Sequence, residues 1–269
     1  MSSLSISTAW EETRSILARD GQLYAAVAMA LIVLPIIVFT VVGPPVGEDA
    51  SLLARMTYVA VILLGFVAQV AVNRLAIGPS VTVGAAIGRG FARLASIVAV
   101  LFALSVALMI VAVVFLSILS ALGLVAIPAA GQTPPASLIL MLLALVAIGF
   151  TIVQLAFPVA AVETGNPVRI IARCWQLAKG HYWRLLAFIG IIILCFIVVV
   201  IAMQFGIGSA VTLLLGPAKP GSLSALVLGL VFGLVQAPFT VITATMLARI
   251  YTQLVGHGEA QASVPSSGI

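Results

Sequence analysis

Two cysteines and two histidines are all that these 269 residues contain, and Asp and Glu together number only seven. Cys174 stands in a basic amphipathic segment and Cys195 deep in an apolar run. Neither a disulfide framework nor a thiolate metal site can be built from them, and both read as small buried apolar side chains. His181 and His257 have no H-x-x-x-H or H-E-x-x-H pairing and no run of carboxylates beside them. Hydrolysis and group transfer need an activated nucleophile, a general base or a bound metal assembled from such residues. The composition therefore argues against an enzyme and implies no metal or other cofactor. His181, next to Tyr182 and Trp183, reads as part of an amphipathic anchor.

Charge is equally scarce. Charged residues make up 7% of the chain against about a quarter in an ordinary soluble domain, while 63% are hydrophobic and the mean hydropathy is +1.33. This is the composition of a polytopic membrane protein. No acidic or basic side chain falls near the centre of an apolar run, which weakens an ion-coupled transporter. The net charge of +5 does not indicate nucleic acid, because the cations sit beside apolar runs and no Lys/Arg cluster stands free in a soluble segment.

What the chain does have is a plan of short amphipathic segments followed by long apolar runs. Ile6 to Asp20 places Ile6, Ala9, Trp10, Thr13, Ile16 and Leu17 on one side, and Gly21 is expected to break this helix. Acidic residues precede the first apolar run and no A-x-A-type site follows it, so a cleavable signal is not expected. The first span is Leu23 to Val42, bent at Pro35, and the second runs from about Thr57 to Ile77. Pro79 to Arg93 is a second amphipathic segment, with Val83, Ile87, Phe91 and Leu94 opposite Arg89 and Arg93. Ala95 to Ile127 would reach roughly 50 Å against a bilayer core of about 30 Å, so it is expected to break near Leu119 and lie on the far surface. After a loop from Pro128 to Pro135 the fourth span covers Ala136 to Phe157, with Pro158 at its exit.

The fullest copy of the plan begins at Asn166. Arg169, Arg173, Gln176 and Lys179 fall opposite Ile170, Ile171, Cys174, Leu177 and Ala178 on a helical template. Tyr182, Trp183 and Arg184 follow where a chain leaving the head-group layer favours amphipathic rings and a snorkelling cation, and Leu185 to Met203 is uncharged. An outer apolar segment from Gly206 to Pro220, a sixth span from Ser222 to Ala248 and a flexible tail over 256–269 complete the chain. Ser120-Ala121 and Pro128-Ala129 recur at a spacing of 89 as Ser209-Ala210 and Pro217-Ala218, and Pro135, Ser137, Leu138 match Pro220, Ser222, Leu223 after a gap. The expected fold is thus all-α: one membrane domain over 1–255 with six transmembrane helices. They form three parallel hairpin units at about 6–77, 78–162 and 163–255, each preceded by an interfacial amphipathic helix.

Ten of the twelve cations, all but Arg55 and Lys219, fall on the side shared by both termini, as do Trp10, Trp175 and Trp183. By the positive-inside rule that side is cytoplasmic. The candidate contacts for anionic lipid head groups are Arg89, Arg93, Arg169, Arg173, Lys179, Arg184, Trp175 and Trp183. Each cation near an anionic leaflet contributes about 1 kcal/mol, and the same residues also fix topology. Glu163 is expected in a structural ion pair with Arg74 or Arg249. Gly221, Ala225, Gly229, Gly233 and Ala237 recur every four residues and form a close-packing face, for this bundle or for a second copy of the chain. Gln69, Asn73, Gln154, Gln204 and Gln236 read as amides that cross-link helices. The Gly84 to Gly90 run lacks the preceding strand of a nucleotide loop.

The run from Pro167-Val168-Arg169 through Cys174-Trp175-Gln176-Leu177-Ala178-Lys179-Gly180-His181-Tyr182-Trp183-Arg184-Leu185 resembles the bacterial membrane domain named after glycerophosphoryl diester phosphodiesterases. Phe157-Pro158 and Ala160-Ala161-Val162-Glu163 are similar to it as well. In that family the phosphodiesterase chemistry belongs to a separate metal-dependent barrel domain rich in His and carboxylates. No residues here match its active site, so the resemblance implies a membrane region and not the activity. The expected function is non-enzymatic: a bacterial inner-membrane protein that binds or organises anionic lipid, or a membrane-protein partner or second copy, at the cytoplasmic leaflet, in envelope or lipid homeostasis. The alternative is a carrier or channel for a small or lipidic solute, which a polar cavity between the second and third units would favour.

Overall fold

The computed structural model describes residues 5–43, 51–78, 81–122, 136–163 and 165–262. The described elements are all helical. Helix α1 (Ile6–Ala28) passes through a π-helical turn (Met29–Val33) into α2 (Leu34–Val42). Then come α3 (Leu52–Ile77), α4 (Val83–Ala121), α5 (Ala136–Val162) and α6 (Pro167–Ala178). Helix α7 (Tyr182–Met203) continues through a second π-turn (Gln204–Gly208) into α8 (Ser209–Leu215), and α9 covers Leu223–Ala262. Six segments are long and apolar enough to cross a membrane: Ile6–Val42, Leu52–Ile77, Val83–Ala121, Leu143–Val162, Tyr182–Leu215 and Leu223–Gly256. The chain is a multi-pass, all-helical membrane protein. Side chains cap its helices where the chain turns: Ser5, Ser51, Thr82 and Asn166 each accept an amide from the first turn of the helix they precede.

Several expected interruptions are absent because a helix in lipid keeps every backbone hydrogen bond that it can. The break expected at Gly21 is present one residue earlier, as a kink at Asp20 (φ −115°, ψ 17°), whose carboxylate accepts from Arg19 at 2.8 and 2.9 Å. Pro35 offers no N–H and its ring crowds the carbonyl four residues back, and the π-turn that ends at Val33 relieves that crowding. The segment bearing Arg89 and Arg93 is not a separate interfacial helix. It is the first part of α4, whose 39 residues run about 58 Å without a break, since no proline lies between Val83 and Ala121. Helix α5 runs through Pro158 to Val162, and Gly206 sits in a π-turn within the α7–α8 rod instead of starting a surface segment. Helix α9 passes Ala248 and extends to Ala262, so the stretch expected as tail is helical that far. Of the three expected amphipathic segments, α6 is a separate helix, the first is the part of α1 that precedes the kink at Asp20, and the second is continuous with α4. The expected loop from Pro128 to Pro135 lies outside the described residues, as do 44–47 and 123–127.

The packing is organised by α9, which runs antiparallel to α1–α2 along its length. At one end Ser5 N–H donates to Gln253 Oε1 (3.3 Å) and Arg249 approaches Glu12 (3.9 Å). At the other end Gly221 N–H donates to Val41 O (2.8 Å) and Pro220 packs on Gly43. Between them the small-residue face fits the first span: a Cβ on Gly229 would stand 2.9 Å from Ile37 Cα and strike the Thr40 hydroxyl, and one on Gly233 would stand 3.1 Å from Val33 Cα. Ala225 and Ala237 are buried, whereas Gly221 lies in the preceding turn at φ +75°. The face therefore packs inside the bundle. Gly90 does the same for α4, where a Cβ would lie 2.7 Å from Val67 O of α3.

Buried side chains concentrate toward the end that carries both termini. One cluster joins Leu155 and Phe157 of α5 to Ile170 and Cys174 of α6, Leu185 of α7 and Leu247, Ile250 and Tyr251 of α9. A second joins Tyr24 and Val27 of α1 to Val67 and Ala71 of α3 and Val241 and Ala244 of α9. The opposite end is open, with Leu213 and Leu214 of α8 about 85% exposed. Helix α3 lies most closely on α4, α9 on α2 and α3, and α4 also on α5, whereas α7 touches α9 sparsely.

Gly229→Ala is expected to lower the thermal unfolding midpoint of the detergent-solubilised protein, since forcing a methyl against backbone costs about 1–3 kcal/mol. Gly190→Ala, where a Cβ meets nothing within 4 Å, should leave it unchanged. Equal midpoints would show that the α2–α9 contact is not close.

Candidate functional site

Helices α3 and α5 end at the cation-bearing end, where their last carbonyls lack helical donors and the helix dipole is negative. Arginines from other helices supply those donors. Arg249 of α9 donates to Ala76 O at 2.6 Å, and Arg89 of α4 donates to Ala161 O at 3.3 Å. Arg93 lies against Gly165, whose carbonyl accepts from Ser96 Oγ (2.5 Å). Two of the six cations expected at a lipid-facing surface are thus turned inward, Arg89 onto a helix-end carbonyl and Arg93 against Gly165.

Glu163 follows α5 and anchors α6. Its Oε1 accepts from Arg173 Nε at 3.0 Å and from the Tyr251 hydroxyl at 2.5 Å. The expected partners, Arg74 and Arg249, are not used. Arg249 is drawn to Glu12 and Ala76 by the antiparallel run of α1 and α9, and Arg173 is carried to Glu163 by the short α5–α6 turn. The apolar side of α6, with Ile170, Cys174, Leu177 and Ala178, is buried against the bundle instead of lying in lipid. Burial, with the charge of Glu163 adding to it, pushes the Cys174 thiol up to about 12.

The candidate head-group residues therefore divide. Arg89, Arg93 and Arg173 are committed to the fold. Arg169, Lys179 and Arg184 are exposed and make no hydrogen bond or ion pair among the described residues. Trp175 and Trp183 stand beside them, 63% and 78% exposed. Arg14 of α1 is likewise exposed and unpaired among the described residues. Gly180, at φ +90°, turns the chain between α6, which carries Arg169 and Trp175, and α7, which carries Trp183 and Arg184. No group of three or more His, Cys, Asp or Glu comes together among the described residues.

The sparse α7–α9 contact leaves a cleft that the sequence did not reveal. One chamber of it, about 220 Å³ and open on the side of the exposed Gln236, is lined by Gln69 of α3, Gln154 of α5, Gln236, Thr240 and Thr243 of α9 and the rings of Phe150, Phe196 and Phe239. Its outer groove, about 480 Å³, is apolar and runs between Ile191 and Cys195 of α7 and Leu234, Pro238 and Met246 of α9, with Trp10 of α1 against it. Ile192, Phe239 and Thr243 line both. Across the cleft Phe196 and Phe239 meet edge to face at 5.6 Å. Gln69 and Gln154 each lie eight residues, about 12 Å, from the ends of their helices, and Gln69 Nε2 donates to Gln154 Oε1 at 2.9 Å. Of the expected cross-linking amides, Gln69 and Gln154 do cross-link and also line the cavity. Gln236 lines it without a side-chain bond, Asn73 donates back to Gln69 O at 2.8 Å within α3, and Gln204 makes no side-chain hydrogen bond with the described residues. The available signal was that three glutamines lay in three different spans at similar depth. Neither family models, curated proteins nor solved structures give a match to this chain.

Cys174 should resist a water-soluble maleimide at pH 8, where its thiol stays protonated below about 12 and buried, until the protein is unfolded. Glu163→Gln removes half of the partly exposed α6 latch, worth about 1 kcal/mol, and should raise the labelling rate roughly fivefold. Mass spectrometry of labelled peptides reads both. Prompt labelling of Cys174 in the wild type would show that α6 is not docked.

Proposed function

We propose that this protein is a non-enzymatic lipid-binding component of a bacterial cytoplasmic membrane, acting at the cytoplasmic leaflet. The observation that carries the reading is the exposed surface of Arg169, Lys179 and Arg184 with Trp175 and Trp183. Its cations are free of partners among the described residues, while Arg89, Arg173 and Arg249 are bound to carbonyls and carboxylates. A cation that only fixed topology could serve from within the fold, as those arginines do. Exposed indoles and cations close together in sequence suit the head-group layer, with rings at the interface and cations on anionic phosphates. The excess of cations at the end shared by both termini supports placing that end in the cytoplasm. Kinship with the membrane domain of glycerophosphoryl diester phosphodiesterases is part of the same proposal and rests on the residues from Pro167 to Leu185.

One observation favours a second reading. The chamber lies among α3, α5, α7 and α9 and sets three glutamine amides among apolar rings, which suits a protein that takes up a lipidic solute from the bilayer. The two readings are compatible, since a head-group surface at the membrane face and a lateral cleft in the span region can serve one lipid-handling protein.

Native mass spectrometry in a mild detergent tests the first reading. The variant Arg169→Gln/Lys179→Gln/Arg184→Gln leaves Arg173 in its ion pair and should lose bound phosphatidylglycerol relative to wild type. With about 1 kcal/mol per cation the affinity should fall on the order of a hundredfold. Equal retention of the anionic lipid by a folded variant would reduce these cations to a topological role.

A further inference from the structure

The amides of the chamber, among them the exposed Gln236, have more hydrogen-bonding capacity than the protein uses. The Gln69–Gln154 bond occupies one donor of Gln69 and the carbonyl of Gln154, leaving the Gln69 carbonyl and the Gln154 amino group available. The Gln236 side chain faces the chamber and makes no hydrogen bond with the described residues. Thr243, at the junction of chamber and groove, has none either, whereas the Thr240 hydroxyl donates to the Gln236 backbone carbonyl at 3.0 Å. Donors and acceptors unmet in an apolar surrounding are destabilising until a partner arrives. The partner must be uncharged. No residue lining either part of the cleft carries a charge, and an ion moved there would lose its hydration without a counter-ion.

The outer groove sets the rest of the ligand. It is about twice the volume of the chamber and nearly devoid of polar lining, and it follows α9 for three turns, from Leu234 to Met246, with Trp10 against it. Both parts lie within segments apolar enough to cross the membrane, so the bilayer itself is the source of an occupant. A second protein segment fits less well, because its backbone would need donors and acceptors along the whole groove, and the groove offers few.

We propose that the α7–α9 cleft binds one uncharged amphiphile. A hydroxyl, ester or ketone head is held by Gln236 with the Gln69–Gln154 pair, and an alkyl or isoprenoid chain lies along the groove beside Trp10. This goes beyond the head-group reading and stands without it, since Arg169, Lys179 and Arg184 do not line the cleft.

The test is photo-crosslinking of the full chain in phosphatidylcholine nanodiscs, with a hexadecanol probe that carries a chain diazirine and a terminal alkyne. Labelled peptides are expected to contain Ile191 to Cys195 and Leu234 to Met246. Unlabelled hexadecanol should compete, and palmitate at pH 8, with the same chain and an ionised head, should compete at least about fivefold less well. Gln236→Leu should reduce cleft labelling about three- to tenfold, the range of one net hydrogen bond, with the unfolding midpoint unchanged. Thr243→Val provides a second variant should the first fail to fold. The Arg169→Gln/Lys179→Gln/Arg184→Gln variant should label like wild type, so failure of the head-group reading leaves this result standing. Label spread as strongly over the exposed Phe102 and Met109 of α4 as over the cleft would overturn the proposal. So would equal competition by palmitate, unchanged labelling in the folded cleft variants, or loss of label in the cation variant.

Discussion

The close antiparallel contact of α9 with α1–α2 is the interaction on which the other arrangements depend. It extends from Ser5 and Gln253 at one end to Val41 and Gly221 at the other, and its centre is a backbone approach that only Gly229 and Gly233 permit. Without a hydrophobic driving force between helices in lipid, such an approach is stabilised by dispersion and by shape, and it needs side chains small enough to be out of the way. Because it joins the first and last spans, it brings both described chain ends to one side and sets Arg249 over the open end of α3.

From that contact the uneven packing follows. Helix α9 gives its small face to α2 and adjoining faces to α1, α3 and α5, leaving little to α7. Helix α7 is held at its base, through Leu185, Phe188 and Ile189, and stands away from α9 above that level, where Phe196 and Phe239 bridge the gap. A cleft beside a tightly packed end is the form in which a membrane protein can bind an amphiphile laterally: a rigid base places the polar groups, and the loose wall admits a chain.

The same end shows one residue type divided between two tasks. Arg89, Arg173 and Arg249 close helix ends or a carboxylate, and Arg169, Lys179 and Arg184 face outward. A positive-inside count adds them together, since it registers the side of the membrane and not the partner. Glu163 makes the distinction visible. It lies ten residues from Arg173 and draws that cation and Tyr251 onto α6, whereas Arg169, one turn earlier on α6, has nothing opposite it among the described residues.

How much was legible before folding can be traced residue by residue. Six apolar runs, the amphipathic stretch from Pro167 to Ala178 and the four-residue spacing on α9 follow from local composition and helical periodicity, which need no knowledge of neighbours. Proline and glycine misled, because in lipid the cost of an unpaired backbone group exceeds the cost of a glycine or of a local π-turn. Helices α5 and α7–α8 therefore run on through Pro158 and Gly206. Sequence alone determined that this chain is an all-helical, multi-pass membrane protein with cations gathered beside its apolar runs. Which cations remain free, which helix receives the glycine face, and that Gln69, Gln154 and Gln236 surround one chamber were decided by tertiary structure. Each depends on which side chains from distant spans meet, and hydropathy and periodicity do not encode those pairings.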